Sequence, residues 1–295
     1  MEDKIYRVID IITMSTDFLK SRGFENARLN AELIAAHVLK MNRVQLYLNF
    51  EKQLSPIELA ALRDALKRRA QHEPIQYLTG ETEFFSLKLS VNKSTLIPRP
   101  ETELLVETVL NELKANDSPD KSIQVLDIGT GSGNIAIALA KHLENSNITA
   151  LDIGAESLAV ARLNAEFHQV HHKIEFFEGD IFQPLFATER AFDAIVSNPP
   201  YITDHEFHDL PIEVRNYEPA VALKGGTDGT LFYHRIAELA RTLLKKPGFV
   251  AVEIGATQKE AVQHIFAGAA HFHSIEVIYD LNKLPRVILA KLSCN

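Results

Sequence analysis

Ile123-Gln124-Val125-Leu126-Asp127-Ile128-Gly129-Thr130-Gly131-Ser132-Gly133 decides how the rest of this chain is read. Its first six residues are apolar enough to make a buried strand, and a turn with glycines at alternate positions follows. An alanine-rich helical pattern then runs from about Asn134 to His142. Strand, glycine turn and helix form the opening unit of a doubly wound α/β fold, in which the backbone must come close to a ligand. The dinucleotide fingerprint spaces its glycines as G-x-G-x-x-G. Here the third glycine arrives one residue early, and Asn134 stands where that fingerprint has glycine. The resulting D-x-G-x-G-x-G order is the form expected for S-adenosylmethionine, which has no pyrophosphate to cradle.

Working outward, the next strand, Ile148 to Asp152, ends in an acid. A carboxylate there can accept hydrogen bonds from both ribose hydroxyls. A third strand, Lys173 to Glu178, is closed by Gly179-Asp180-Ile181, where a carboxylate could meet an adenine amino group. The plainer reading of either acid is a strand-end cap or an exposed loop residue. Asp127 reads as mainly structural, receiving hydrogen bonds from the glycine turn or meeting the methionine ammonium.

Further on, the apolar strand Phe192 to Ser197 delivers Asn198-Pro199-Pro200-Tyr201 to its carboxyl end, the edge where open parallel sheets bind ligands. Proline fixes its own φ and restricts the residue before it, so the turn is stiff. The Asn198 side-chain oxygen and the Pro199 carbonyl are then two acceptors for the two hydrogens of one planar NH2 group. Tyr201 could stack on that group's flat face. Against this stands an ordinary strand-ending turn.

The chain has 295 residues, enough for one large or two modest domains, and 46% of them are hydrophobic, so a full core can be buried. No apolar run approaches the ~20 residues that span a bilayer. Met1-Glu2-Asp3-Lys4 lacks the start of a signal peptide, so a cytoplasmic location without membrane attachment is expected. Cys294 stands alone and no intrachain disulfide is possible. The formal charge of -8 weighs mildly against a duplex-DNA enzyme, which usually carries a basic face, although a net charge averages over any local basic patch. Lys67-Arg68-Arg69, the densest basic run, reads as a solvated helix end rather than an RNA contact. His168, His171 and His172, and separately His205 and His208 beside Asp204 and Asp209, make no complete zinc ligand set, so no metal is expected.

Apolar spacing through Ile5, Val8, Ile9 and Ile12, and again from Ala31 to Leu39, makes the front of the chain helical. Ser55-Pro56-Ile57-Glu58 opens a further helix with a capping box, ending before Glu73-Pro74. Phe84 to Leu96 reads as a hairpin turning at Asn92-Lys93. The expected organisation is a helical recognition domain at 1–78, a β-hairpin linker at 79–97 and an α/β domain at 98–295. Within that domain Asn116 to Asp120 is a polar loop, and Ile202 to Gly226 is a long connection with few periodic features, the kind that is often a lid. Thr227-Asp228-Gly229 starts a helix through Leu244 that Pro247-Gly248 stops. Phe249 to Ile254 is another strand, and a helix and two strands near Ser274–Tyr279 and Arg286–Lys291 follow. The sum is a seven-stranded sheet with an antiparallel edge.

Taken as an ordered set, these segments resemble the HemK/PrmC family of protein-(glutamine-N5) methyltransferases, which modify peptide-chain release factors. The resemblance runs through the helical front domain, Pro74-Ile75-Gln76-Tyr77-Leu78-Thr79-Gly80, Ile97-Pro98-Arg99-Pro100-Glu101-Thr102-Glu103, Asp127 to Gly133, Asn198 to Tyr201 and Glu218 to Gly229. It implies a class I S-adenosylmethionine-dependent, Rossmann-like methyltransferase with an all-helical amino-terminal domain. The cofactor would be held by Asp127, Gly129, Thr130, Gly131, Ser132, Gly133, Asp152, Asp180, Ile181 and Asn198. The substrate would be the glutamine of a Gly-Gly-Gln loop on a class 1 release factor, held by Asn198, Pro199, Pro200 and Tyr201, with Asn198, Pro199 and Tyr201 as the catalytic set. The amide nitrogen would attack the sulfonium methyl, S-adenosylhomocysteine would leave, and no metal or nucleic acid would be required of the monomer. The family often has an aromatic residue where Ile181 stands, so adenine stacking would either be weaker or fall to another residue such as Phe182. Asp280 to Arg286 lacks a family glycine and reads as an altered surface loop remote from the chemistry. The alternative is methyl transfer to the N6 amine of adenine or another exocyclic amine of nucleic acid, which requires base flipping; a non-catalytic nucleotide-binding adaptor has no need of the paired acceptors.

Overall fold

A computed structural model describes residues 5–115, 122–183, 190–269 and 271–292. The Asn116–Asp120 loop and Cys294 lie outside the described residues. The chain divides into two compact units, one of Met1–Glu81 with Ile212–Tyr217 and one of Thr82–Pro211 with Glu218–Asn295. Among the described residues no helix is long and apolar enough to cross a membrane.

In the first unit the helices are α1 (Val8–Ser21), α2 (Ala27–Leu39), α3 (Arg43–Leu48), α4 (Pro56–Arg69) and α5 (Ile75–Thr79). Val8, Ile12, Ile34, Leu46, Leu62 and Leu78 share one core. The capping box opening α4 forms, with Ser55 N donating to Glu58 Oε2 at 2.7 Å and Glu58 N to Ser55 Oγ at 3.3 Å. At the other end of α4 the basic run is not simply solvated. Arg69 is only 5% exposed. It donates to Asn30 Oδ1 at 2.7 Å, to the Glu73 carbonyl at 2.9 Å and to Glu213 Oε1 at 2.6 Å. Its guanidinium also stacks 4.3 Å from the Phe24 ring centroid. A planar fork with several donors suits such a buried set.

From Thr82 the second unit begins within a hairpin of β1 (Glu81–Phe84) and β2 (Leu87–Ser90). Its turn is at Phe85-Ser86, with φ of 51° and 59°, not at Asn92-Lys93. The sequence gives no glycine or asparagine there, and the strain is offset by tertiary contact: Phe85 N donates to Glu103 Oε1 at 2.8 Å. Asn92 instead makes an Asx turn, accepting from Ser94 N at 2.9 Å. Then follow α6 (Glu101–Ala115), β3 (Ile123–Ile128), α7 (Asn134–His142), β4 (Ser146–Asp152), α8 (Ala155–Phe167), β5 (Ile174–Glu178) and β6 (Phe192–Ser197). After β6 the long connection is structured, holding α9 (Ile212–Tyr217) between two single-turn 3-10 helices, Glu206–Asp209 and Ala220–Ala222. Six residues are too few to show a helical period, and α9 is counted with the first unit, where Tyr217 OH donates to the Gln71 carbonyl at 2.7 Å. The chain ends with α10 (Leu231–Leu243), β7 (Leu244–Glu253), α11 (Lys259–Gly268), β8 (Phe272–Tyr279) and β9 (Pro285–Leu292).

Two expectations fail around α10. Asp228 Oδ1 accepts from Thr230 N at 2.9 Å and Thr230 Oγ1 at 2.7 Å, so Thr227 to Gly229 is a turn before the helix. At the other end Pro247 and Gly248 lie inside β7, whose pairing with β6 jumps from Phe192↔Leu244 to Ala194↔Phe249. A bulge is where a strand tolerates such residues.

Sheet order is β5-β4-β3-β6-β7-β9-β8. The antiparallel strand is β9, which lies between β7 and β8 rather than at the edge. Alternate residues of each central strand feed opposite cores: Val125, Ala194 and Ala251 pack with α6 and α7, whereas Leu126, Ile195 and Val250 pack with α10 and α11. Both faces are therefore covered, as a largely parallel sheet requires. From β3 the chain winds one way through β4 and β5, then crosses to β6 on the other side of β3. The switch point thus falls between β3 and β6, at their carboxyl ends.

Candidate active site

At that switch point the glycine turn is held by its neighbours. Gly129 N and Thr130 N both donate to the Leu151 carbonyl, at 2.8 and 3.0 Å. Gly131 N donates to Asp152 Oδ2 at 2.8 Å, and the other oxygen of Asp152 accepts from Gly154 N at 2.9 Å. Gly133 has a φ of 83°, and a Cβ there would lie 3.0 Å from Ile137 Cδ1 and 3.1 Å from Ala161 Cβ. The third glycine therefore serves helix packing and handedness together. Asn164 on α8 was missed from sequence: it donates to the Ser132 carbonyl at 2.9 Å while exchanging bonds with Ser90 on β2.

Asp127 is completely buried. Its Oδ2 accepts from Thr130 Oγ1 at 2.6 Å, and its Oδ1 has no hydrogen-bond partner among the described residues. Burial pushes its carboxyl up to about 7, with the Thr130 hydroxyl and the Ala136 backbone amide pulling the other way.

A cavity of about 270 Å³ opens beside the turn, lined by Gly129, Gly131, Asp152, Asp180, Ile181 and Phe182 on one side and by Asn198, Pro199 and Pro200 on another. Thr130 and Ser132 are buried and, like Asp127, Gly133 and Tyr201, are not part of its wall. Ile181 contributes to the wall while packing into the α10–α11 core. Phe182 is the exposed aromatic there, its ring 5.4 Å from that of Phe232, which also lines the cavity. Asp180 turns one oxygen back on the chain, accepting from Phe182 N at 2.9 Å.

The Asn198 turn is fixed by residues that the sequence reading left without a role. Asn198 Nδ2 donates to Thr102 Oγ1 at 3.0 Å, and Thr102 Oγ1 donates to Glu253 Oε2 at 2.6 Å. Among the described residues nothing donates to Asn198 Oδ1 or to the Pro199 carbonyl. The Tyr201 hydroxyl reaches Glu253 Oε1 at 3.4 Å instead of facing the cavity, and burial raises its pKa. Gln258 Nε2 donates to the Tyr201 carbonyl at 3.0 Å. A Cβ on Gly225 would lie 2.7 Å from the Pro200 carbonyl oxygen, so the returning chain presses directly on the turn. Glu218 ties that return to the segment before α6, accepting from Ile97 N at 3.0 Å and Arg99 Nη2 at 2.5 Å. An acid inside the apolar run Phe249 to Ile254 was the available signal for Glu253. The 280–286 segment is also less remote than expected, because the Arg286 charge lowers the Glu253 pKa.

Fold and site together define a class I, Rossmann-like methyltransferase. Residues 10–80 match the family model described as PrmC N-terminal domain, and residues 100–214 match the Methyltransferase small domain. A release factor glutamine methyltransferase of Chlorobaculum tepidum is 41% identical over 289 residues, covering 97% of both chains. One of Geobacter sulfurreducens is 40% identical, covering 97% of this chain and 96% of its own. The crystal structure of a methyltransferase from Pyrococcus furiosus shares the fold, with a TM-score of 0.51 at 19% identity over 71% of this chain and 91% of its own. The chain belongs to the release factor glutamine methyltransferase family.

Proposed function

We propose that this protein transfers the methyl group of S-adenosylmethionine to the side-chain amide nitrogen, N5, of the glutamine in the Gly-Gly-Gln loop of class 1 peptide chain release factors, in the cytoplasm. The observation that carries this reading is the held Asn198 amide: Asn198 and Pro199 line the cavity, and among the described residues nothing donates to the Asn198 oxygen or to the Pro199 carbonyl. Two acceptors side by side suit a carboxamide, which presents two hydrogens in one plane.

The residues present fit the cofactor. Asp127 offers a buried, unpartnered carboxylate oxygen suited to an ammonium group. Asp152 keeps lone pairs for ribose hydroxyls beyond the two backbone amides it accepts. Asp180 and the Phe182–Phe232 pair suit adenine. When bound, S-adenosylmethionine supplies an electrophilic methyl on a sulfonium.

Asn198 and Pro199 do the rest by preorganisation. An amide nitrogen is a weak nucleophile because its lone pair is delocalised into the carbonyl. Acceptors on both N–H bonds stabilise the positive charge that grows on nitrogen and let it become tetrahedral, an oxyanion hole with the sign reversed. Holding nitrogen in line with the methyl supplies the proximity.

The test is to incubate the protein with labelled S-adenosylmethionine and a release factor, the same factor with Gly-Gly-Ala in its loop, or nucleic acid. Label is expected on the first alone; label on DNA or RNA instead would overturn the assignment. Asn198→Ala should raise the transfer barrier by at least ~1–3 kcal/mol, the cost of a buried hydrogen bond left unmade. Normal turnover by a folded Asn198→Ala protein would refute the role.

A further inference from the structure

We infer that Glu253 is a positioning residue of this transfer: through the Thr102 hydroxyl its carboxylate fixes which end of the Asn198 amide faces the acceptor group. The inference rests on the function proposed above and adds residues to it.

The number of hydrogens each group can donate fixes the orientation. A carboxylate only accepts, so Thr102 must give its single hydroxyl hydrogen to Glu253 Oε2, 2.6 Å away. Thr102 Oγ1 then has only lone pairs left for Asn198, and the Asn198 group that meets it at 3.0 Å is the NH2. Because the amide is planar, NH2 toward Thr102 turns Oδ1 the other way. The second oxygen of Glu253 takes the Tyr201 hydroxyl, so one carboxylate sets both ends of the turn.

Nothing in the fold calls for an acid here. Glu253 is 2% exposed between the fully buried Val252 and Ile254. No ion pair among the described residues includes it. Isolated buried carboxylates are costly, and an amide or an apolar side chain would serve the sheet better.

Protonation would remove the direction. A neutral Glu253 carboxyl can donate to Thr102, which frees the Thr102 hydroxyl to turn toward Asn198 and lets the amide reverse. Burial raises Glu253 to about 7; Thr102 and Glu101 of α6, Tyr201 after β6 and Arg286 of β9 act on it, Glu101 raising and Arg286 lowering, and the buried Tyr233 of α10 also interacts with its charge. The relay is therefore set at pH 8 and relaxes as the pH falls through about 7.

The experiment compares wild type, Thr102→Val and Thr102→Ser in transfer from saturating labelled S-adenosylmethionine to a release factor, from pH 6 to pH 9. Cofactor affinity and melting temperature are measured alongside. Thr102→Val keeps the shape and removes the relay; kcat is expected to fall about 10- to 100-fold, cofactor Kd to stay within about twofold, and the acidic limb near pH 7 to vanish. Thr102→Ser should recover most of the rate and the limb. In wild type itself, a rate that is flat from pH 6 to pH 9 overturns the inference, whatever the variants' folding. So does a Thr102→Val enzyme that matches Thr102→Ser. If wild type labels no release factor, the proposed substrate fails; the Val-to-Ser ratio is then read on the acceptor that takes label, and equality there sinks the relay separately.

Discussion

Glu32 in the helical unit and Glu253 in the methyltransferase unit are both 2% exposed, and they are handled in opposite ways. Glu32 collects Arg28 at 3.0 Å, Arg43 at 2.6 Å and the Tyr47 hydroxyl at 2.7 Å. Burial alone would push its carboxyl up, but these donors outweigh it and hold the pKa below the usual range. Glu253 collects two hydroxyls and no paired cation, and its carboxyl rises to about 7. Asp127 follows Glu253, with the Thr130 hydroxyl and the Ala136 amide acting on it but no cation. The neutralised acid Glu32 serves the fold, whereas an under-compensated one is held at a cost to stability, a pattern that clusters at functional sites.

The largest effect that tests this contrast is a pH dependence. The Asp127 carboxyl moves from its ordinary 3.8 to about 7 on folding. A raised carboxyl contributes stability in full below its unfolded pKa and loses it as pH rises through the folded pKa. Asp127→Asn removes that loss, so its stability should gain on wild type by about 4 kcal/mol between pH 4 and pH 8. Urea unfolding at both pH values reads the difference, and a constant difference would break the contrast. Cofactor affinity should fall in the same variant if Asp127 holds the ammonium as proposed, and an unchanged Kd would remove that role.

Next comes Glu32→Ala, which strands three donors and should cost about 2–3 kcal/mol. The figure is below that of a fully enclosed pair because Arg28 and Arg43 are 62% and 49% exposed and rehydrate. Chemical denaturation should show the loss, with cofactor Kd unchanged; a variant that loses cofactor but not stability would reverse the roles assigned to the two acids.

The smallest effect sharpens the comparison by its sign. Lys52 and Ser55 draw the Glu58 carboxyl down to about 2. A depressed carboxyl contributes stability above its ordinary pKa and loses it as pH falls toward the folded value. Solvent screening limits Glu58→Gln to about 1 kcal/mol or less at pH 7. The deficit should shrink between pH 5 and pH 2, opposite in direction to Asp127→Asn; a deficit that grows on acidification would contradict the capping account.

What the sequence disclosed follows the range of the interactions. β3, α7 and β6 agree with expectation because a buried run bounded by a turn is a local signal. The Ser55 cap was legible for the same reason. The hairpin turn at Phe85-Ser86 was not, because its positive φ values are held by Glu103, 18 residues away. Pro247 and Gly248 stop helices locally, yet the bulge against β6 admits them to β7. The Asn198 turn was visible; its support was not. Thr102 lies 96 residues from Asn198 and Glu253 lies 151 from Thr102, so only the folded sheet edge brings them together.

The interleaving of β9 between β7 and β8 also orders the events of folding. β8 is made first but has no sheet neighbour until Pro285 to Leu292 has been synthesised, and Glu253 gains its cross-strand neighbour Val287 in the same step. Ile254 N then closes on the Arg286 carbonyl at 2.8 Å, beside the residue that anchors the Asn198 turn. A nascent chain therefore carries Asn198 and Thr102 well before it owns the finished sheet edge that holds them together.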